Sequence, residues 1–201
     1  DPIYDVQAIL VAYRLLESLR LTKLLVKLNS IGCKTCRLMY RKKLVDFYKN
    51  RNSQTAAICK DCERRLAVNP LRLLDCKQPA CIEIRKDAPI SLNSICAYCK
   101  AHFKCVLEYL DELQLPYTLD HYLVRGLDYY NRTVFEIFPY REESSNPEES
   151  ILDIALAGGG RYDYLIPLLG GRETSAVGVA IGIERLVDVT KAFGFPFQQQ
   201  L

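Results

Sequence analysis

Residues 123–136, LVRGLDYYNRTVFE, place a cation, a carboxylate and two phenols around a glycine, directly ahead of an extended run at 133–138. Arg125 precedes Gly126, where backbone can approach closely, so its guanidinium can face into a cleft. Two glycine-rich segments follow, GGGRYD at 158–163 and GVAIGIER at 178–185. A fixed cation, phenolic hydroxyls and bare backbone suit a site that holds a small polar substrate against a phosphate. Each residue also has a plainer reading. Arg125 could pair with Asp128 or with the acidic stretch at 141–150. Tyr129 and Tyr130, if extended, point to opposite faces, so one would enter a core. Glu136 reads equally as a site carboxylate or a sheet-edge pair, and a lone triple glycine is an ordinary turn.

The cysteines carry a second chemistry. Nine are present, and eight fall in pairs: Cys33 with Cys36, Cys59 with Cys62, Cys76 with Cys81, and Cys96 with Cys99. Cys105 remains as a small core residue. Two residues between thiolates let a tight turn aim both sulfurs at one tetrahedral ion, so the pattern predicts structural zinc. A disulfide scaffold would need an oxidising compartment, and a thioredoxin-like motif would have to occur three times. Sequence order groups Cys33, Cys36, Cys59 and Cys62 as one site, and Cys76, Cys81, Cys96 and Cys99 as the other. Interleaved pairing, or a single occupied site, suits the spacing nearly as well.

The net charge of +3 conceals a strong asymmetry. Residues 20–72 hold 14 Lys/Arg against 3 Asp/Glu, and residues 106–155 hold 3 against 11. The basic stretch overlaps the cysteine pairs and signals a polyanion partner, with RNA the favoured one; solvated helix faces are the bland reading. Few large apolar residues lie between Cys33 and Leu74, so metal binding is expected to hold that region together.

Hydrophobic content of 49% and charged content of 25% are ordinary for a globular chain. No apolar run reaches the length of a membrane span. A cytoplasmic location follows as the default, and the start at Asp1-Pro2 suggests a fragment. Apolar spacing predicts helices over 5–19, 35–49, 56–68, 99–113 and 183–193, with Leu186, Val189 and Phe193 of the last turned inward. It predicts strands over 24–28, 133–138, 151–157 and 176–181, a mostly irregular stretch over 71–94, and a surface loop over 141–150. His102 and His121 lack partner patterns and read as structural or surface residues. Asn131 and Arg132 are expected at the surface without a role.

At RGLDYY, GGGRYD and GVAIGIER the chain resembles the histidyl-tRNA synthetase family of class II aminoacyl-tRNA synthetases, over nearly its whole length. The resemblance implies an α/β (α+β) fold, an antiparallel-sheet catalytic core carrying a mainly helical, cysteine-rich, zinc-binding insertion. Residues 1–31 and 116–201 would belong to the core and residues 32–115 to the insertion. Arg125 would bind the α-phosphate of ATP and act in catalysis, while Tyr129, Tyr130, Tyr162, Gly159 and Gly160 would help Arg125 hold histidine. Gly158–Gly160 would end a strand and turn beneath the substrate. Gly182 and Arg185, from the third class II motif, would contact ATP; Glu184 would only favour the helix start. Lys34, Arg37, Arg41, Lys42, Lys43, Lys60, Arg64 and Arg65 would meet the phosphate backbone of tRNA(His). ATP with Mg2+, one or two structural Zn2+ and a homodimer complete the implied picture.

One position departs from the family: Tyr164 stands where glycine usually follows Tyr-Asp. The first two class II motifs and an anticodon-binding domain are not found, so an internal fragment with little activity of its own is expected. Two rival readings share many of these features. One is the catalytically silent paralogue that regulates ATP phosphoribosyltransferase; the intact RGLDYY, Arg185 and the large insertion stand against it. The other is a zinc-stabilised RNA-binding module without catalysis, which histidine-dependent activity would exclude.

Overall fold

Apolar residues at positions 6, 9, 13 and 16 recur with helical spacing, and α1 (Ile3–Ser18) buries all four along one side. In the computed structural model, which describes residues 1–21, 23–52, 57–140 and 154–192, that side rests on a five-stranded sheet. Its strands are β1 (Leu24–Ser30), β2 (Tyr117–Leu119), β3 (Asn131–Pro139), β4 (Ala157–Arg161) and β5 (Val177–Ile181). They lie in the order β2-β1-β3-β4-β5, with β1 and β2 parallel and the other neighbours antiparallel. Successive strand residues face opposite ways. Leu24, Val26, Leu28, Phe135 and Ile137 meet α1 and the Phe103, Val106 and Leu110 side of α5 (Ala97–Glu112) in one core. Lys27, Asn29, Val134 and Glu136 take the alternate positions and line the other face. No helix among the described residues is long and apolar enough to cross a membrane.

The cysteine-rich stretch packs above that second face. It contains α2 (Lys34–Asn52), α3 (Lys60–Val68) and α4 (Pro79–Arg85), with short 3-10 turns at Pro70–Leu73 and Ser91–Ser94. The helix expected over 56–68 starts at Lys60, and Ala56 lies outside the described residues. The stretch 71–94 is more ordered than expected. Pro79 occupies the first turn of α4, where its missing N–H costs nothing, and Leu71, Leu73, Leu74 and Ile84 are buried. The region is also less thinly packed than expected. Tyr40, Leu44 and Tyr48 align at four-residue spacing on α2 and join Leu123, Val124, Tyr130 and Val134 in a second core. Leu113, expected to face inward, lies beyond the end of α5 and is exposed.

One other element differs from the sequence reading. The strand expected over 151–157 begins only at Ala157 and runs through the glycine triplet to Arg161. Pairing decides this, because Gly158, Gly159 and Gly160 sit opposite Glu136, Phe135 and Val134 of β3. Residues 141–150 and 151–153 lie outside the described residues, as does Phe193. Beyond the one-turn helix α6 (Leu165–Leu168), α7 (Ile183–Ala192) turns Leu186 and Val189 towards the first core as expected.

Beneath β3 and β4 runs a buried polar network. Arg161 is 2% exposed and Asp5 fully buried. Their guanidinium and carboxylate meet at 2.8 Å, and Asp5 also accepts from the Thr133 hydroxyl at 2.8 Å. Arg161 reaches Asp163 at 3.1 Å, and Asp163 accepts from Asn131 Nδ2 at 2.9 Å. Asn131, expected at the surface, is therefore fully enclosed, because its side chain is the partner that closes this network. Burial raises the Asp5 carboxyl against the opposing pull of Arg161.

His102 stands 3.4 Å from Asp5. Burial, with Arg161 and Arg132 nearby, lowers its pKa to about 4. The neutral imidazole therefore contributes full stability above its ordinary value of 6.5, and that contribution is lost as pH falls from there towards 4. Two outcomes are expected in urea unfolding. Asp5→Ala, which strands a buried guanidinium, loses about 3–5 kcal/mol. His102→Gln flattens the stability profile between pH 6.5 and 4 relative to the unaltered chain.

Candidate active site and metal centres

The loop that delivers Arg125 is pinned before it reaches that residue. Asn29, fully buried on β1, donates to the carbonyl of Leu123 at 2.9 Å and accepts from the Ser91 hydroxyl at 3.1 Å. Leu123 and Val124 then anchor in the second core. Arg125 follows and projects over the sheet, where Nη1 meets Glu136 Oε1 at 2.6 Å. Both side chains keep about a quarter of their surface, 23% each, so the pair is sheltered and still reachable. The guanidinium lies 5.6 Å from the centre of the Tyr130 ring. Among the described residues the partner is Glu136 rather than Asp128, and the acidic stretch 141–150 lies outside them.

The floor below is bare by composition. Gly158 and Gly160 on β4 and Gly178 on β5 carry their missing side chains on this face. A Cβ at Gly158 would sit 2.6 Å from Arg125 Nη1, and one at Gly178 would sit 2.6 Å from the Tyr162 hydroxyl. At Gly160 it would lie 3.1 Å from the Tyr130 ring. Gly159 differs: its missing Cβ points at Phe135 in the core and at the Gly178 carbonyl. That glycine serves strand packing, and only its backbone borders the site. The triplet is strand and not the turn expected from sequence.

Three tyrosines wall the same space. The Tyr129 and Tyr130 rings lie 4.6 Å apart, and the Tyr162 ring stands edge-on to them at 5.8 and 6.0 Å. Residues 128–129 form a turn, so the two adjacent phenols share a side and do not alternate as an extended chain would require. Burial and the neighbouring Tyr130 push the Tyr129 phenol above its usual range, which keeps it a protonated donor. Burial raises the Glu136 carboxyl, and the charge of Arg125 pulls it back. Arg185, in the first turn of α7, also acts on Glu136; it is exposed and donates to the Ala155 carbonyl at 3.1 Å. Gly182, at the join between β5 and α7, packs 3.3 Å from Arg185 through the position a Cβ would take. The arrangement can hold an anion beside Arg125 and a small polar ring between phenols.

The eight paired cysteines form two quartets, grouped otherwise than sequence order suggests. Cys33, Cys36, Cys96 and Cys99 make one set; Cys59, Cys62, Cys76 and Cys81 make the other. The chain leaves the sheet after β1 and returns to it at α5, so its exit and re-entry hooks meet, while the two middle hooks close on each other. Within each set every sulfur lies within 4.8 Å of the others. Cys33 and Cys36 are 3.5 Å apart, and Cys59 and Cys76 are 3.9 Å apart. A tetrahedral zinc with sulfurs at 2.3 Å has edges of about 3.8 Å, whereas a disulfide needs about 2.05 Å. Cys59 and Cys96 precede α3 and α5, and the backbone N–H groups of Cys62 and Cys99 lower each thiol to about 7. Burial pushes Cys99 up to about 12 and Cys62 strongly upward. Such a mixture suits metal capture, because an ion makes the reluctant thiols ionise. Cys105 lies on α5 outside both sets.

The basic residues divide. Lys34, Arg41, Lys42, Lys43, Lys60 and Arg64 are exposed. Arg37 and Arg65 turn inward: Arg37 donates to the Asp128 and Tyr130 carbonyls, and Arg65 lies 3.7 Å from Asp75. Local backbone carbonyls and a carboxylate thus already engage both guanidinium groups. Arg132, expected to be exposed, is half-buried over the Tyr98 ring at 4.9 Å. Glu136 and Asn29 lacked a distinguishing signal in the sequence; only the cross-strand register brings them under the loop.

A family model described as histidyl-tRNA synthetase matches residues 40–186. The chain belongs to the histidyl-tRNA synthetase family. Histidine–tRNA ligase of Nitratidesulfovibrio vulgaris strain DP4 is 47% identical over 186 residues, 92% of this chain and 42% of the relative. That of Caldicellulosiruptor bescii is 43% identical over 187 residues, 93% of this chain and 42% of the relative. The chain therefore spans less than half the length of these curated relatives. Apo histidyl-tRNA synthetase of S. aureus superposes with a TM-score of 0.74 at 31% identity, covering 100% of this chain and 46% of that one. The sheet and its surrounding helices are thus a histidyl-tRNA synthetase catalytic fold. Metal analysis of the purified synthetase chain is expected to give two zinc ions per polypeptide, falling to one in Cys62→Ser.

Proposed function

We propose that this chain supplies the histidine-binding wall and part of the ATP grip of a histidine–tRNA ligase. In the first step a carboxylate oxygen of histidine bonds to the α-phosphorus of ATP, and the bond to pyrophosphate breaks. In the second, the terminal ribose hydroxyl of tRNA(His) takes the acyl group and AMP leaves. The observation that carries this reading is Arg125, held by Glu136 at 2.6 Å above a glycine floor and beside three phenols.

Arg125 would stabilise negative charge on the α-phosphate, where a fixed cation acts best in the transition state. Tyr129, Tyr130 and Tyr162 would present hydroxyls to the imidazole and ammonium of histidine, a substrate that both donates and accepts hydrogen bonds. Glycine at 158, 160 and 178 would leave room for planar groups, and Arg185 would reach the ATP phosphates. Magnesium would accompany ATP and neutralise its phosphates. The two cysteine quartets would each hold structural Zn2+. Lys34, Arg41, Lys42, Lys43, Lys60 and Arg64 would face the tRNA backbone, positioning it without reading its sequence. A cytoplasmic homodimer is part of the same reading.

Histidine-dependent ATP–pyrophosphate exchange by the complete gene product tests it. Arg125→Ala is expected to lower kcat at least about a hundredfold, the range seen when one charge-stabilising donor is lost. Gly158→Ala should reduce exchange as well, because its methyl group displaces the flexible end of Arg125, while the unfolding midpoint stays nearly unchanged. Exchange that survives Arg125→Ala intact would remove the reading.

A further inference from the structure

One side chain joins the cysteine region to the substrate turn. Arg37 follows Cys36 directly on the first turn of α2. Its Nη1 donates to the carbonyl oxygens of Asp128 at 2.6 Å and Tyr130 at 2.8 Å, the residues on either side of Tyr129. Its Nη2 lies 3.5 Å from the Asp128 carboxylate, which also accepts from Asn69 Nδ2 at 2.6 Å, at the end of α3. The turn at 128–129 belongs to no helix or strand, so its place depends on groups that reach it from outside.

The base of Arg37 is held by the first cysteine set. Cys36 Sγ accepts the backbone N–H of Cys96 at 3.1 Å, tying the start of α2 to the start of α5. Gly32, at φ +71°, brings the chain so close that a Cβ there would press into Cys36 and lie 2.9 Å from Ile95. The Gly32 carbonyl in turn accepts the backbone N–H of Arg132 at 2.8 Å. The knuckle is thus fastened to the substrate segment on both sides of Tyr130, by Arg37 before it and by Gly32 after it.

We propose that a metal ion held by Cys33, Cys36, Cys96 and Cys99 sets the position of Arg37, and through it the position of Tyr129 and Tyr130, so that the cysteine knuckle governs affinity for histidine. The inference rests on the functional reading above. Arg37 touches no substrate; it is a positioning residue. Four sulfurs on one ion fix the first turn of α2, and a guanidinium there spans two carbonyls in a planar fork. Loss of the ion frees that turn, and the phenols lose their common orientation.

The test uses the complete gene product, with zinc content and circular dichroism recorded for every preparation. In histidine-dependent pyrophosphate exchange, Arg37→Ala is expected to raise the KM for histidine roughly ten- to hundredfold, the cost of misplacing contacts by about an ångström. The KM for ATP, the zinc content and most of kcat should be retained. Arg37→Lys, which keeps one charged donor, should recover part of the loss. Lys86→Ala, an exposed change in the same region paired with Glu83, should leave the histidine KM unchanged.

Stripping zinc with a chelator should weaken histidine binding in titration calorimetry, and added ZnCl2 should restore it. In Arg37→Ala the same stripping should add little, because both changes act through one contact. An unchanged histidine KM in folded Arg37→Ala would overturn the proposal. So would a zinc-free, folded protein that binds histidine as tightly as the loaded one. If Arg37→Ala does not fold, Arg37→Lys and the chelation arm decide. Absence of histidine-dependent exchange in the unaltered protein would strike the functional reading instead.

Discussion

A guanidinium resting on a half-buried carboxylate, above glycines that leave the strand surface bare, is the constraint around which this molecule is arranged. Glu136 holds Arg125 through one nitrogen, and the arginine fork has donors beyond that contact. A lysine would offer only a compact point charge and could not keep the same planar orientation. The pair needs empty space over β4, which only glycine supplies at 158. It needs Glu136 on the upward face of β3, which follows once Ile137 and Phe135 commit the opposite face to the core. Both requirements are met by one antiparallel register between β3 and β4.

Two polar systems then hold the phenolic walls. From below, Arg161 and Asp163 are locked by Asp5 and Asn131, and Tyr162 sits between those two residues in the chain. A charge pair so deeply buried contributes little net stability, yet it is costly to break, so it defines one geometry for the end of β4. From above, Arg37 and Asn69 hold the turn that carries Tyr129 and Tyr130. The tyrosines are therefore placed by groups that never face the cleft. Preorganised donors lower the cost of ordering a site when a ligand arrives, which is the physical value of such scaffolding.

The cysteine region also changes meaning in three dimensions. Its own small core of Tyr40, Leu44 and Tyr48 shares residues with the loop that delivers Arg125. One quartet closes the neck where the chain leaves and rejoins the catalytic fold, and the other gathers the outer helices. Lys34, Arg41, Lys42, Lys43, Lys60 and Arg64 stay exposed on this part of the surface, while Arg37 and Arg65 turn inward. The basic stretch thus combines an exposed cationic surface with internal fastening, a division that residue type alone does not express.

Residue types and spacing were enough to establish the family, the order of helices and most strands and the membership of the eight cysteines, and to single out Arg125 as a candidate, because each depends on local chemistry or on periodicity within one element. Tertiary structure decided what depends on neighbours distant in the chain. It paired the exit and re-entry cysteines, gave Arg125 its partner in Glu136, drew Asn131 inside, and made a strand of three glycines. It also folded Tyr129 and Tyr130 into one turn instead of opposite faces. These outcomes share a cause: strand register and the return path of the insertion bring together groups separated by tens of residues, and no local propensity encodes that meeting.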